Sequence, residues 1–288
     1  MRILFAIPHY VRPAGEGRYA ERHHGALDTG PEPRVAALAA CLTGLHQLFQ
    51  PAHSTIDHGR RLAHVVAAAV PHQVEVVLCT TRGHHVLDRL PVGSRYYTHT
   101  DTGAAPELLG FACHDVLRDR LGQYDYYGYL EDDLVLHDPA FFVKLAWFNA
   151  AAGDDKLLQP NRFEAGLNYL VPKVYVDGEL SPQCTAPFQN VNDAPPQTLE
   201  VLGRPVVFER TLNPHSGCFF LNARQMAQWA RQPHFADRQS RFIGPLETAA
   251  SLGIMRTFKV YKPALANADF LEVQHHATGY LAQLRLRP

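Results

Sequence analysis

The stretch YDYYGYLEDDLVLHDPAFF, Tyr124 to Phe142, decides the fold, because an aromatic run leads into three consecutive acids and then into a proline-opened apolar segment. Its Tyr- and Leu-rich body, YDYYGYLEDDLVL, predicts a strand. Asp138 reads as a cap and Pro139 as the first turn of a helix that closes near Gly153. Strand alternation sends Glu131 and Asp133 to one face and Asp132 to the other, unless the strand ends there and a turn splays all three. Adjacent carboxylates repel, and burying one without a partner is costly, so a positive partner is expected.

Working outward, RILFAI (Arg2–Ile7) is an apolar run stopped by Pro8, as in a buried central strand. A long Gly-, Pro- and His-rich segment follows, of a length more often functional than decorative. Val35, Leu38, Leu42, Leu45 and Phe49 recur at helical spacing from Arg34 to Phe49. STIDHGRRLAHVVAAAV (Ser54–Val70) predicts a second helix with Asp57 as cap. VEVVLCTT (Val74–Thr81) is a strand, RYYTHT (Arg95–Thr100) a short one, and Pro106 to Leu121 a helix. This alternation predicts an α/β sheet covered on both faces. In the second half KLLQPNRFE, PVVFERTL, FKVYKPA and FLEVQHH read as strands, SGCFFLNARQMAQWARQ as strand into helix, and PLETAASLGI as a short helix. Pro172 to Pro196 is irregular, and there is no internal repeat.

With 288 residues, 46% of them hydrophobic, the chain can bury a large core. A net charge of −1 excludes the global basic field that holds nucleic acid. Five scattered cysteines without a CxxC pair predict reduced thiols and a cytoplasmic location. The opening apolar run is too short for a signal peptide, and no stretch approaches the roughly 20 residues of a membrane span. His23–His24, His84–His85 and His114 lack zinc-site spacing, and there is no Walker loop, GxGxxG or GxSxG.

Acids at the carboxyl end of an α/β strand lie where ligands bind, and hard oxygen ligands suit Mg²⁺ or Mn²⁺. YGYLEDDLVLHDPAFF resembles the metal-binding DxD region, in its EDD form, of GT-A-type glycosyltransferases. HSGCFFLN resembles that fold's glycine loop near the donor sugar, PLETAASLG the segment with the catalytic acid, and EVQHH the late metal-ligand histidine. The resemblance implies a single GT-A-like domain over residues 1–288: a Rossmann-type mixed sheet flanked by helices. Residues 1–133 would form the nucleotide-sugar half and 134–288 the acceptor half.

By the same resemblance, Asp133 ligates a divalent metal bridging the two phosphates of a nucleotide-sugar, while Glu131 and Asp132 contact the ribose or a metal-bound water. Pro8 and His9 lie beside the nucleobase, Gly217 beside the donor sugar, and Arg60 and Arg61 help to hold phosphate. Glu247 is the general base of an inverting transfer, although Thr248 follows it where the family has a second acid. Leu271, Val273 and His275 share the apolar strand face, which favours His275 as the metal ligand; if the strand has already ended, His276 serves equally. The acceptor would be a carbohydrate, a lipid-linked glycan or a protein side chain. Two alternatives stand beside this reading. A sugar-phosphate nucleotidyltransferase would use Arg12, Gly15, Gly17 and Arg18 after the first strand. A non-catalytic sugar- or nucleotide-binding protein would explain the missing second acid.

Overall fold

The computed structural model describes residues 1–11, 30–49, 52–67, 72–235 and 237–285. Elements follow in chain order: β1 (Arg2–Pro8), α1 (Pro31–Phe49), β2 (Ala52–Asp57), β3 (Leu62–Ala67), β4 (Gln73–Thr80), β5 (Thr98–Asp101), α2 (Leu109–Arg118), β6 (Tyr126–Leu130), β7 (Leu134–Val135) and α3 (Phe141–Ala152). Then come β8 (Lys156–Leu158), β9 (Asn161–Ala165), β10 (Lys173–Tyr175), α4 (Pro182–Thr185), β11 (Gln197–Val201), β12 (Arg204–Arg210), β13 (Cys218–Asn222), α5 (Ala223–Ala230), α6 (Pro245–Met255), β14 (Lys259–Pro263), β15 (Glu272–His275) and α7 (Gly279–Ala282).

The chain is a mixed α/β protein. Its central sheet has the order β13-β6-β1-β4-β5, with β6, β1, β4 and β5 parallel and β13 antiparallel to β6. Strand periodicity divides β1 between two cores. Ile3, Phe5 and Ile7 pack with Leu38, Leu42 and Phe49 of α1 and with Phe141, Phe142 and Phe148 of α3. Leu4 and Ala6 pack on the other face with Phe111 and Leu117 of α2, Trp229 of α5 and Ile254 of α6. Gly128 of β6 lies where a Cβ would meet Phe5 and Phe220 at 3.1 and 3.0 Å, so the aromatic layer closes over a missing side chain.

From β1 the chain moves to β4 and β5 on one side, then returns to place β6 on the other. The carboxyl ends of β1 and β6 therefore flank a point where strand order reverses, the place where open α/β sheets bind ligands. His9 follows β1 there, and Glu131, Asp132 and Asp133 follow β6. Two smaller sheets, β10-β9-β15-β7 and β11-β12-β14-β8, extend the second half. Pro160 splits the apparent single strand KLLQPNRFE into β8 and β9, which belong to different sheets.

The helix expected over Ser54–Val70 is a correction: residues 52–67 form the antiparallel hairpin β2–β3, paired from Ala52↔Ala67 to Asp57↔Leu62. Asp57 Oδ1 accepts the Arg60 N–H at 3.0 Å, the same three-residue reach as a helix N-cap, but here it closes a turn. Gly59 and a left-handed Arg61 (φ +55°) complete that turn, and the β-branched Ile56, Val65 and Val66 favour strand. The described residues contain no helix long and apolar enough to cross a membrane. All five cysteines are free thiols.

Candidate functional site

β6 ends at Leu130, and the Leu134 N–H to Glu131 carbonyl bond (3.2 Å) turns the three acids in three directions. The acidic side chains therefore diverge: Asp132 and Asp133 share Arg34, Asp133 also meets His275, and Glu131 lies toward Arg162.

Asp132 is buried, and both of its oxygens accept from Arg34 Nη2 at 2.6 Å. Arg34 stands in the first turn of α1, which packs on β7 at Gly44, where a Cβ would lie 3.1 Å from the Leu136 carbonyl. His9 Nδ1 lies 2.5 Å from Asp132 Oδ2, while its Nε2 accepts the Val86 N–H at 3.2 Å. That second bond assigns the ring hydrogen to Nδ1, which donates to Asp132. His9 thus ties the ends of β1 and β6 to the loop after β4. Pro8, buried at the end of β1, fixes the approach.

Asp133 sits between cations of two different elements, with Arg34 Nη1 at 3.6 Å and His275 Nε2 at 3.5 Å from Oδ2. Burial alone would raise its carboxyl, but His275, Arg34 and Arg162 outweigh burial and hold it well below the usual range. The other oxygen, Oδ1, is buried and has no hydrogen-bond partner among the described residues. β15 ends at His275, whose Nδ1 lies 2.8 Å from Glu164 Oε1. Burial lowers the imidazole, yet the two carboxylates leave it above its ordinary value. His276 gives Asp133 a backbone bond, from its N–H to the Asp133 carbonyl at 2.8 Å.

Glu131 lies against Gly217. Gly217 has φ +65°, and a Cβ there would fall 2.6 Å from Glu131 Oε2 and 2.9 Å from Leu134 Cδ1. The glycine thus serves close approach, and what approaches it is the Glu131 carboxylate. Arg162 Nη1 lies 4.0 Å from the same oxygen, and its Nη2 is 2.9 Å from Asp177 Oδ1. Asp177 also pairs with Lys262 Nζ at 3.0 Å, and Lys262 donates to the His215 carbonyl at 2.7 Å. Burial pushes the Lys262 ammonium down despite Asp177, and burial with Arg162 nearby lowers the His215 imidazole to about 3. Glu247 lies in the first turn of α6, nearly buried, and its charge acts on both His215 and Tyr129. Thr248 Oγ1 bonds the carbonyls of Phe242 and Gly244, so the position after Glu247 braces the helix start.

The fold thus brings Pro8, His9, Glu131, Asp132, Asp133, Gly217 and His275 together, with Glu247 on the neighbouring His215 cluster. Arg60 and Arg61 are exposed at the hairpin turn, and among the described residues neither is ion-paired with the acids. Arg12, Gly15, Gly17 and Arg18 lie outside the described residues. Sequence reading missed Arg34, Arg162, Asp177, Glu164 and Lys262. For Arg34 a signal existed: it opens the first helix after the first strand, directly above that strand's carboxyl end.

Among the described residues no group of three or more His, Cys, Asp and Glu is arranged to hold a metal ion. The donor pair that fits one is Asp133 with His275. Asp133 has a buried oxygen in want of a positive partner, and Glu164 orients His275 from behind, as carboxylates orient metal-bound imidazoles. Two protein ligands leave room for phosphate oxygens and water, and a mixed O/N set suits Mn²⁺ better than Mg²⁺. No protein-family model matches the chain, and no curated protein matches it in sequence.

Proposed function

We propose that this chain is a metal-dependent glycosyltransferase of GT-A type, moving a sugar from a nucleotide-diphosphate donor to an acceptor hydroxyl. The observation that carries the reading is the half-buried Asp133 carboxylate, whose buried Oδ1 has no hydrogen-bond partner among the described residues and whose Oδ2 faces His275 at the strand-order reversal. The central-sheet order supports a Rossmann-type arrangement, and the resemblance of the EDD, glycine-loop and EVQHH segments makes that arrangement GT-A-like.

Asp133 and His275 would hold Mn²⁺ or Mg²⁺, which supplies charge compensation to the departing diphosphate. His9 and Arg34 lock Asp132 and so fix the turn that carries Asp133. Gly217 leaves room for Glu131 at the floor. Glu247 takes the proton from the acceptor hydroxyl as its oxygen bonds the anomeric carbon and the nucleotide diphosphate leaves, an inverting transfer.

The test is calorimetric titration of UDP-, GDP-, CMP- and dTDP-linked ligands with and without Mn²⁺, on wild type and Asp133→Ala. One nucleotide diphosphate should bind only with metal, and Asp133→Ala should abolish that binding while the protein stays folded. If no ligand on the panel binds with any divalent metal, the proposal falls. Binding without donor hydrolysis or transfer would leave a nucleotide-sugar-binding protein, and pyrophosphate-linked synthesis of the sugar nucleotide would make it a nucleotidyltransferase.

A further inference from the structure

Beyond His275 the surface changes character. Residues 166–172 (GLNYLVP), after β9, and 277–284 (ATGYLAQL), around α7, carry no charged side chain. They expose Leu167 (91%), Leu170 (48%), Tyr280 (47%), Leu284 (38%) and Tyr169 (37%). Single exposed apolar residues mean little, but an uncharged cluster of them drawn from two segments marks a surface that something covers.

This rim is built. Tyr169 Oη and Thr278 Oγ1 are hydrogen-bonded at 2.7 Å, joining the two segments. The Tyr169 ring lies on Gly166, where a Cβ would come within 2.7 Å of it. Leu281 is buried beneath, and its N–H donates at 2.7 Å to Glu164, the carboxylate that also orients His275. The Tyr280 ring centroid is 6.3 Å from that of His275. The apolar surface is therefore continuous with the reaction site and begins one side chain from the Asp133–His275 pair.

That continuity restricts the occupant. Asp133 has Arg34 and His9 with Asp132 on one side, a polar, charged wall suited to a nucleotide diphosphate. On its other side, past His275, lies the uncharged rim. A ligand reaching both the rim and the site must carry an apolar portion next to its reacting hydroxyl. Resting on the glycosyltransferase reading, we infer that the rim binds the apolar chain of an amphiphilic acceptor, an alkyl- or isoprenoid-type glycoside whose sugar enters the site past His275 with its reacting hydroxyl turned toward Glu247.

The experiment uses the full chain and a series of n-alkyl β-D-glucosides from methyl to octyl, kept below their micelle concentrations, titrated by calorimetry. Full burial of a methylene strengthens binding about fourfold, so an open rim should give about twofold per added carbon. Leu167→Asp, at a position too exposed to disturb folding, should flatten that dependence. Leu202→Asp, equally exposed at the distant β11–β12 turn, should leave it unchanged. Affinity independent of chain length, or an equal slope in Leu167→Asp, overturns the inference. So does a dimer that Leu167→Asp dissociates, or binding to phosphatidylcholine vesicles without binding to the monomeric glucosides. The Mn²⁺–nucleotide titration separates the two claims. A flat glucoside series with nucleotide binding intact removes only the rim, whereas lost nucleotide binding with a steep series removes only the transferase.

Discussion

His275 Nε2 lies 3.5 Å from Asp133 Oδ2, and the opposite nitrogen of the same ring is held by Glu164 at 2.8 Å. The imidazole is thereby aimed by a buried carboxylate six strands away in chain order but adjacent in the sheet, since β15 runs parallel to β9. His275→Ala should remove Mn²⁺ binding, and Glu164→Gln should weaken it by roughly 10- to 100-fold, the usual effect of losing such an orienting partner. His276→Ala should bind Mn²⁺ as wild type does, because His276 reaches Asp133 through its backbone N–H. Electron paramagnetic resonance of free Mn²⁺ reads all three, and equal losses at 275 and 276 would contradict the assignment.

Gly217 meets two constraints at once. Its φ of +65° is a backbone state that side chains resist, and a Cβ would strike Glu131 and Leu134. Gly217→Ala should therefore lower unfolding free energy by about 1–3 kcal/mol. Urea denaturation measures it. A variant as stable as wild type would mean that the β6–β7 turn moves freely away from β13.

The sequence carried the elements whose local and tertiary demands agree. Apart from the end residues Arg2 and Asn222, RILFAIP, YYGYL and CFFLN are apolar or aromatic because each is buried on both faces; α1 shows helical spacing, and α3 stops at Gly153 as expected but starts at Phe141, behind Ala140, rather than at Asp138 and Pro139. The hairpin was illegible as a hairpin because Asp57 makes the same bond to the Arg60 N–H in a turn as in an N-cap. Within the site, the positive partners demanded by Glu131, Asp132 and Asp133 were foreseeable as a need but not as residues. Arg162 comes from β9 and Arg34 from α1, and only the fold sets both beside β6. A charged residue inside a strand-like run, as in NRFEA, is the signal for Arg162.

Asp177 lies between two buried cations, Arg162 and Lys262, which hold its carboxyl below the ordinary range against the upward push of burial. Removing it strips Lys262 of its carboxylate and leaves Arg162 with only the longer contact to Glu131, so Asp177→Ala should cost about 3–5 kcal/mol of stability. Glu32→Ala, which deletes the solvent-exposed pair with Arg89, should barely move the urea midpoint. If the two variants unfold at the same urea concentration, the buried cluster contributes nothing to the core.

His114 supplies a pH test away from the acids. Its ring is buried among Phe111, Tyr129, Phe219, Trp229 and Phe235, and Nε2–H donates to the Ala249 carbonyl at 2.9 Å. Burial lowers it from 6.5 to about 4, with the carbonyl bond opposing and Arg238 assisting. As pH falls through 6.5 the unfolded chain takes up a proton that the folded ring still refuses. Stability from this group is therefore full above pH 6.5, declines between 6.5 and 4, and levels off below. The loss should reach roughly 3 kcal/mol across that window. His114→Gln keeps an N–H for Ala249 but cannot titrate, so its urea midpoint should fall less steeply from pH 6.5 to 4 than that of wild type. Parallel curves would mean that His114 is protonated within the folded protein as readily as outside it.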